Sequence, residues 1–209
     1  MFRVVTVGRE YGSGGGPIAA QLATRLGWQL VDNSLITEIA RSANVDPKIC
    51  HQYDERLDSW LHRLSKQTFG LGAFEGVATG EQFDGEAMAA FSRQVIERAA
   101  EMGNVVIVGR GGQCVLQGRA DVFHVFVYAP MDERIRRVRE AYGSGFALPT
   151  YLSDQDKMRS AYIRHHFDQD WRDPHLYHAL FCSKLGDETV VRMIAHALGR
   201  EEEQPRNAR

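Results

Sequence analysis

The sequence predicts an α/β fold: a parallel five-stranded sheet flanked by helices on both faces. Three observations predict it. Short apolar runs rich in β-branched residues recur at 2–7, 28–31, 104–108 and 122–128, with a weaker one at 178–182. Such runs suit strands buried on both faces. Helical patterns lie between most of them, and alternation of strand and helix is the pattern of parallel strands joined by crossovers. The first run passes through a glycine-rich turn straight into a helical pattern. At 209 residues the chain is long enough for one well-packed core with room for a small insertion.

The first strand is carried by Val4, Val5 and Val7. Gly8, Gly12, Gly14, Gly15 and Gly16 follow, then Pro17 as the expected first residue of a helix that runs to Leu26. A strand, a glycine-rich turn and a helix N-terminus together cradle phosphates on backbone N–H groups. Glycine lets the backbone come close to an anion and adopt positive φ. Arg9, Gly12, Ser13, Gly14, Gly15 and Gly16 are therefore the candidate phosphate-binding residues. The lysine usual in such loops is missing: the chain reads Gly12-Ser13-Gly14-Gly15. A ligand-free tight turn would need one or two glycines, and each further one costs backbone entropy. A dinucleotide-binding reading is weaker, because Gly12-x-Gly14 lacks the third glycine at its expected place, although Asp32 does end the second strand, Trp28–Val31.

From about 33 to 102 the chain carries helical segments and no convincing strand, so a helical insertion is expected there. The glycines between Phe69 and Gly85 predict a flexible loop within it. The strand Val105–Val108 ends in Gly109-Arg110-Gly111-Gly112. Ligand crevices of open α/β sheets lie beyond the carboxyl ends of the strands, where Gly8–Gly16, Asp32 and Arg110 all fall. An arginine there forks onto phosphate oxygens. After the strand Val122–Tyr128, the helix from Asp132 carries Arg134, Arg136, Arg137 and Arg139. Arg134 and Arg137 are neighbours three apart and form a candidate clamp on phosphate charge, whereas Arg136 and Arg139 read as a solvated face. A lid is expected at about 142–160, with Arg159 delivered beside a hinge-like glycine segment. Residues 201–209 read as a disordered tail, leaving 1–200 as one domain.

A net charge of −2 argues against bulk binding to nucleic acid. No apolar run approaches the span of a bilayer, and no leader pattern opens the chain. Cys50, Cys114 and Cys182 fit neither a disulfide framework nor a zinc site, so reduced thiols in a cytoplasm are expected. His165, His166, His175 and His178 lack the spacing of metal ligands and read as structural or surface residues.

Taken together these pieces resemble the cytidylate kinase-like family, a branch of the P-loop nucleoside monophosphate kinases. The resemblance covers nearly the whole chain, from Val4 to about Leu198. Arg9-Glu10-Tyr11-Gly12-Ser13-Gly14-Gly15 is similar to that family's own phosphate loop. Val31-Asp32-Asn33-Ser34 is similar to the strand and acidic turn beside the monophosphate site, and Ile107-Val108-Gly109-Arg110-Gly111 to the segment whose arginine holds the acceptor phosphate. Val125–Pro130 with Arg134 and Arg137 resembles the strand and helix leading into the lid, and Asp156-Lys157-Met158-Arg159 the lid-exit Asp-x-x-Arg.

The resemblance implies a three-layer P-loop kinase fold and phosphoryl transfer from ATP, with Mg²⁺, to CMP or a related small acceptor. Gly12 to Gly16 would wrap the donor phosphates, and Arg110 and Asp32 would serve the acceptor. Arg134, Arg137, Arg159 and Asp156 would form the catalytic lid side, with no metal cage made by protein alone. The expected partners are ATP and a nucleoside monophosphate or small metabolite, without nucleic acid or membrane, and a homodimer stays open. The chain departs from the family's pattern at Gly16-Pro17, where a basic residue is common. It departs again at Tyr177–Ser183, which lacks the usual Asp and Asn. These departures keep two alternatives in view: a nucleotide-binding regulatory protein with impaired catalysis, and a kinase of a non-nucleotide metabolite.

Overall fold

The computed structural model describes residues 1–42, 85–143 and 148–200. Five strands, β1 (Val4–Arg9), β2 (Gln29–Val31), β3 (Val105–Val108), β4 (Val122–Tyr128) and β5 (Ala179–Cys182), form one sheet in the order β2-β3-β1-β4-β5. All neighbours are parallel. The expected strands are thus all present. The weakest of them in sequence, β5, is an edge strand and only partly buried, so its apolar pattern is diluted.

Alternate residues of the central strands feed two cores. Val4, Val105, Ile107 and Val122 pack with Ile36 and with Phe91, Val95, Ile96 and Ala99 on one face. Val5, Val7, Val106, Val108, Val125 and Val127 pack with Ile18, Leu22, Val190, Val191 and Ile194 on the other. Each of the larger side chains contributes about 1.5–3 kcal/mol by leaving water. The result is three layers, with α2 (Asn33–Ser42) and α3 (Gly85–Met102) on one side, and α1 (Gly15–Leu26) and α7 (Asp187–Ala197) on the other.

α1 starts at Gly15, two residues before the expected Pro17. Proline is tolerated there because N–H groups of a first turn have no intrahelical partner. The helix ends at Gly27 (φ 64), where the N–H of Gly27 bonds Thr24 O and that of Trp28 bonds Ala23 O. A short α4 (Gly112–Val115) follows β3, and α5 (Met131–Tyr142) follows β4. α6 (Pro149–Phe167) takes up the second part of the segment expected as a lid and runs beyond it, with Pro149 at its first position, where a fixed φ favours the helix.

Cys50, the centre of the expected insertion, the expected loop over 69–84, lid residues 144–147 and the tail 201–209 lie outside the described residues. Among the described residues no helix is long and apolar enough to cross a membrane.

Candidate active site

The strand order sets β1 beside β3, so their carboxyl ends meet. Val7 lies opposite Val108, and Gly109 N–H donates to Val7 O at 3.1 Å. The glycine loop leaves β1 at this edge. Ser13 is fully buried and turns inward, its hydroxyl donating to Glu10 O (2.8 Å) and Val127 O (3.0 Å). Gly14 (φ 80) precedes α1 and, lacking a side chain, puts no capping acceptor of its own on the first-turn N–H groups of α1. A Cβ on Gly12 (φ 75) would lie 2.8 Å from Val138 Cγ2, so the loop rests against α5.

A buried ionic cluster fixes that loop. Arg134 is 4% exposed. It donates to Tyr11 O (2.7 Å) and pairs with Asp156 (2.6 Å), with Glu10 at 3.5 Å. Asp156 also accepts from Tyr11 N–H at 2.7 Å. One carboxylate from α6 and one guanidinium from α5 thereby clamp both sides of the Tyr11 backbone. Asp156 and Arg134 are brought together with the loop, as positioning residues. Arg137 is held by Glu133 and Asp187, both at 2.7 Å, and by Ser183 O, with its guanidinium against Gly14.

Beyond the ends of β1 and β3 lies a cavity of about 470 Å³, in the size range of small-ligand sites. Arg9, Arg110 and Arg159 line it, together with Asn33, Gln155 and Tyr162. Arg110 has a left-handed backbone (φ 51), and its Nε donates to Asn33 Oδ1 at 2.5 Å. Burial lowers the Arg110 pKa, and the like charge of Arg9 adds to the effect. Arg159 Nη1 donates to Arg9 O at 2.9 Å, and its guanidinium sits 5.4 Å from the Tyr11 ring centroid. Tyr162 is half-buried with its Oη facing the Arg110 guanidinium, which stands 6.0 Å from the ring centroid and interacts with the hydroxyl. Three guanidinium groups lining one cavity give it a positive field that favours an anion.

Of the residues singled out in the sequence, Arg9, Arg110 and Arg159 share this cavity, while Gly12–Gly16, Arg134, Arg137 and Asp156 lie outside its wall. Asp32 is also off the wall. Its carboxylate accepts from Ser34 Oγ (2.7 Å) and Leu35 N–H (2.9 Å) and so caps α2, and the next residue, Asn33, is the one that reaches Arg110. Sequence reasoning also missed Gln155 and Tyr162. Helical spacing from Arg159 was the available signal, since positions 155, 159 and 162 share one face of α6. His165 and His166 meet Glu86 on the surface, their ligand atoms within 4.8 Å of one another, away from the cavity wall. Ser13 Oγ is buried against two carbonyls, Gly16 has no side chain, and the Glu10 carboxylate is turned towards Arg134 and the N–H of Ala129.

Comparison with known families finds that the cytidylate kinase-like family model matches residues 4–185. No curated protein matches the chain. An uncharacterized protein from Eubacterium ventriosum is similar in structure, with a TM-score of 0.69 at 21% identity, over 96% of this chain and 100% of that one. Shikimate kinase from Acinetobacter baumannii, solved in complex with shikimate, aligns over 98% of this chain and 97% of its own, with a TM-score of 0.52 at 14% identity. Shikimate kinase from Bacteroides thetaiotaomicron aligns over 94% and 98%, with a TM-score of 0.50 at 15% identity. At such identities the likeness shows the fold, which is that of P-loop kinases.

Proposed function

The chain belongs to the cytidylate kinase-like family, and from that premise we propose that it transfers a phosphoryl group from Mg–ATP to CMP or a related small anionic acceptor. The observation that carries the reading is the convergence of Arg9, Arg110 and Arg159 on one cavity beside the glycine loop. The N–H groups of Gly14 to Gly16 at the start of α1 hold the donor phosphates. Arg110, steadied by Asn33, takes the acceptor's phosphate, and Arg159 spans from α6 to the end of β1. Arg134 and Asp156 keep the loop in shape, and Arg137 sits against Gly14 on the donor side. Catalysis is positioning and charge neutralisation, without a covalent intermediate.

Among the described wall residues there are three guanidinium groups and no carboxylate. That supports a phosphate acceptor, whose ionised oxygen attacks without a general base. An alcohol such as shikimate needs its proton removed. Gly15-Gly16-Pro17 favours a second reading, a nucleotide-binding regulatory protein, because it removes cationic groups from the donor loop. A cytoplasmic setting suits both readings and the free thiols Cys114 and Cys182. We take residues 1–200 as one domain, and sedimentation of the purified chain decides between monomer and homodimer.

The test is ADP release from ATP in the presence of CMP, other nucleoside monophosphates or shikimate. Turnover with CMP is expected, and Arg110→Ala should raise the acceptor KM by about 10- to 100-fold, as for loss of a charge-assisted hydrogen bond, without lowering the melting temperature. Turnover only with shikimate would favour the metabolite reading. ATP binding without turnover on any acceptor would favour the regulatory one.

A further inference from the structure

We propose that Arg9 replaces the missing phosphate-loop lysine: its stem fills the space that the lysine would use, and its guanidinium supplies the charge. The inference rests on the reading of this edge as a phosphate site. In a lysine-bearing loop the side chain grows from the position held here by Gly15 and reaches the β- and γ-phosphates. A Cβ placed on Gly15 would lie 2.6 Å from Arg9 Cβ, 3.1 Å from Cγ and 3.3 Å from Cδ. The first of these is closer than two carbons tolerate, and Arg9 Cβ is tied to the backbone of β1 and cannot swing aside. Gly15 has no positive φ that would itself demand glycine, unlike Gly12 and Gly14. The neighbouring stem therefore accounts for the glycine. The two positions are reciprocal, since a side chain at one leaves no room for a side chain at the other.

The far end of Arg9 lies where the charge is needed. Its guanidinium rests against Gly109 (φ 74), where any Cβ would collide with Nη1. Arg9 therefore spans from the start of α1 to the end of β3, between the glycine loop and Arg110, and lines the cavity. Arg159 holds its carbonyl at 2.9 Å. A guanidinium presents several donors in a fixed fork and keeps its charge at any working pH, so it serves phosphate at least as well as an ammonium.

The experiment compares wild type, Arg9→Ala, Gly15→Lys and the double variant Arg9→Ala/Gly15→Lys. Inorganic tripolyphosphate with Mg²⁺, read by calorimetry, is the probe of the phosphate site, and ATP–CMP turnover is read separately. Arg9→Ala is expected to weaken tripolyphosphate binding about 10- to 100-fold. Gly15→Lys alone is expected to lower the melting temperature, and the double variant to recover both stability and binding. The ligand-free pair Gly15→Ala and Arg9→Ala/Gly15→Ala checks the packing: the first should melt lower than wild type, and removing the stem should restore it. Wild-type affinity in Arg9→Ala, absence of tripolyphosphate binding by wild type, or equal melting of Gly15→Ala and wild type would overturn the assignment. Tripolyphosphate binding that depends on Arg9, with no turnover on any acceptor, would instead overturn phosphoryl transfer and leave Arg9 in its place.

Discussion

Arg134 and Arg136 stand two residues apart and have opposite fates. Arg136 lies on the solvent face between Glu133 and Glu140, with contacts of 2.7 and 2.6 Å. Arg134 is buried against Asp156 and the Tyr11 carbonyl. Removing one partner of a buried pair strands the other charge, which costs about 3–5 kcal/mol. Asp156→Ala is therefore expected to shift urea unfolding by that amount, whereas Arg136→Ala should shift it far less because exposed pairs are screened. A small effect of Asp156→Ala would mean that water reaches Arg134. The Arg136 environment was legible in sequence, since its partners sit at i−3 and i+4. The Arg134 environment was not, because Asp156 is 22 positions away and arrives on another helix. Counting arginines suggested a clamp on the substrate, whereas the structure places the first of them under the loop.

At the scale of elements, the glycine loop and α1 were legible because glycine density and β-branched runs are local signals. The exact helix start was not, since proline fits any place in a first turn. The start of α6 was not legible either, because Pro149 reads as a loop residue until the helix it opens is seen. Two glycines on either side of α1 offer a controlled comparison. Gly12 and Gly27 share a left-handed backbone, at φ 75 and φ 64. Nothing lies within 4 Å of a Cβ on Gly27, but a Cβ on Gly12 would meet Val138 Cγ2 at 2.8 Å and Arg134 O at 3.1 Å. Gly27→Ala should thus cost only the backbone term, about 1–2 kcal/mol. Gly12→Ala should cost more and also displace the loop from α5, weakening the phosphate binding we propose for it. Equal losses in chemical denaturation would mean that the loop yields freely.

At the scale of the whole molecule, the sheet was legible as a set of strands, and the division into two cores follows from simple alternation along β1 and β3. Its order was not legible, because no local pattern tells which strands neighbour β1. One consequence of that order is a pH response. β4 lies between β1 and β5, which surrounds His124 with Thr6 Oγ1 at 2.7 Å from Nδ1 and with the stacked ring of His178 at 5.2 Å. Burial, with the charge of His178 adding, pushes the His124 pKa from 6.5 down to about 4. The unfolded chain therefore binds a proton that the native state refuses between those values, so stability falls as pH drops from about 6.5 towards 4. Asp121 and Glu133 respond in a lower window. Hydrogen bonds from Arg119 and Arg3, and from Arg136 and Arg137, hold their carboxyls at about 2 against ordinary values of 3.8 and 4.5. Their contribution is complete above about 4.5 and is lost as pH falls towards 2. Urea unfolding of wild type should accordingly lose stability in two steps. His124→Gln should flatten the upper step alone, leaving the lower one in place. A wild-type profile level between pH 6.5 and 4.5 would mean that His124 takes up its proton in the folded sheet.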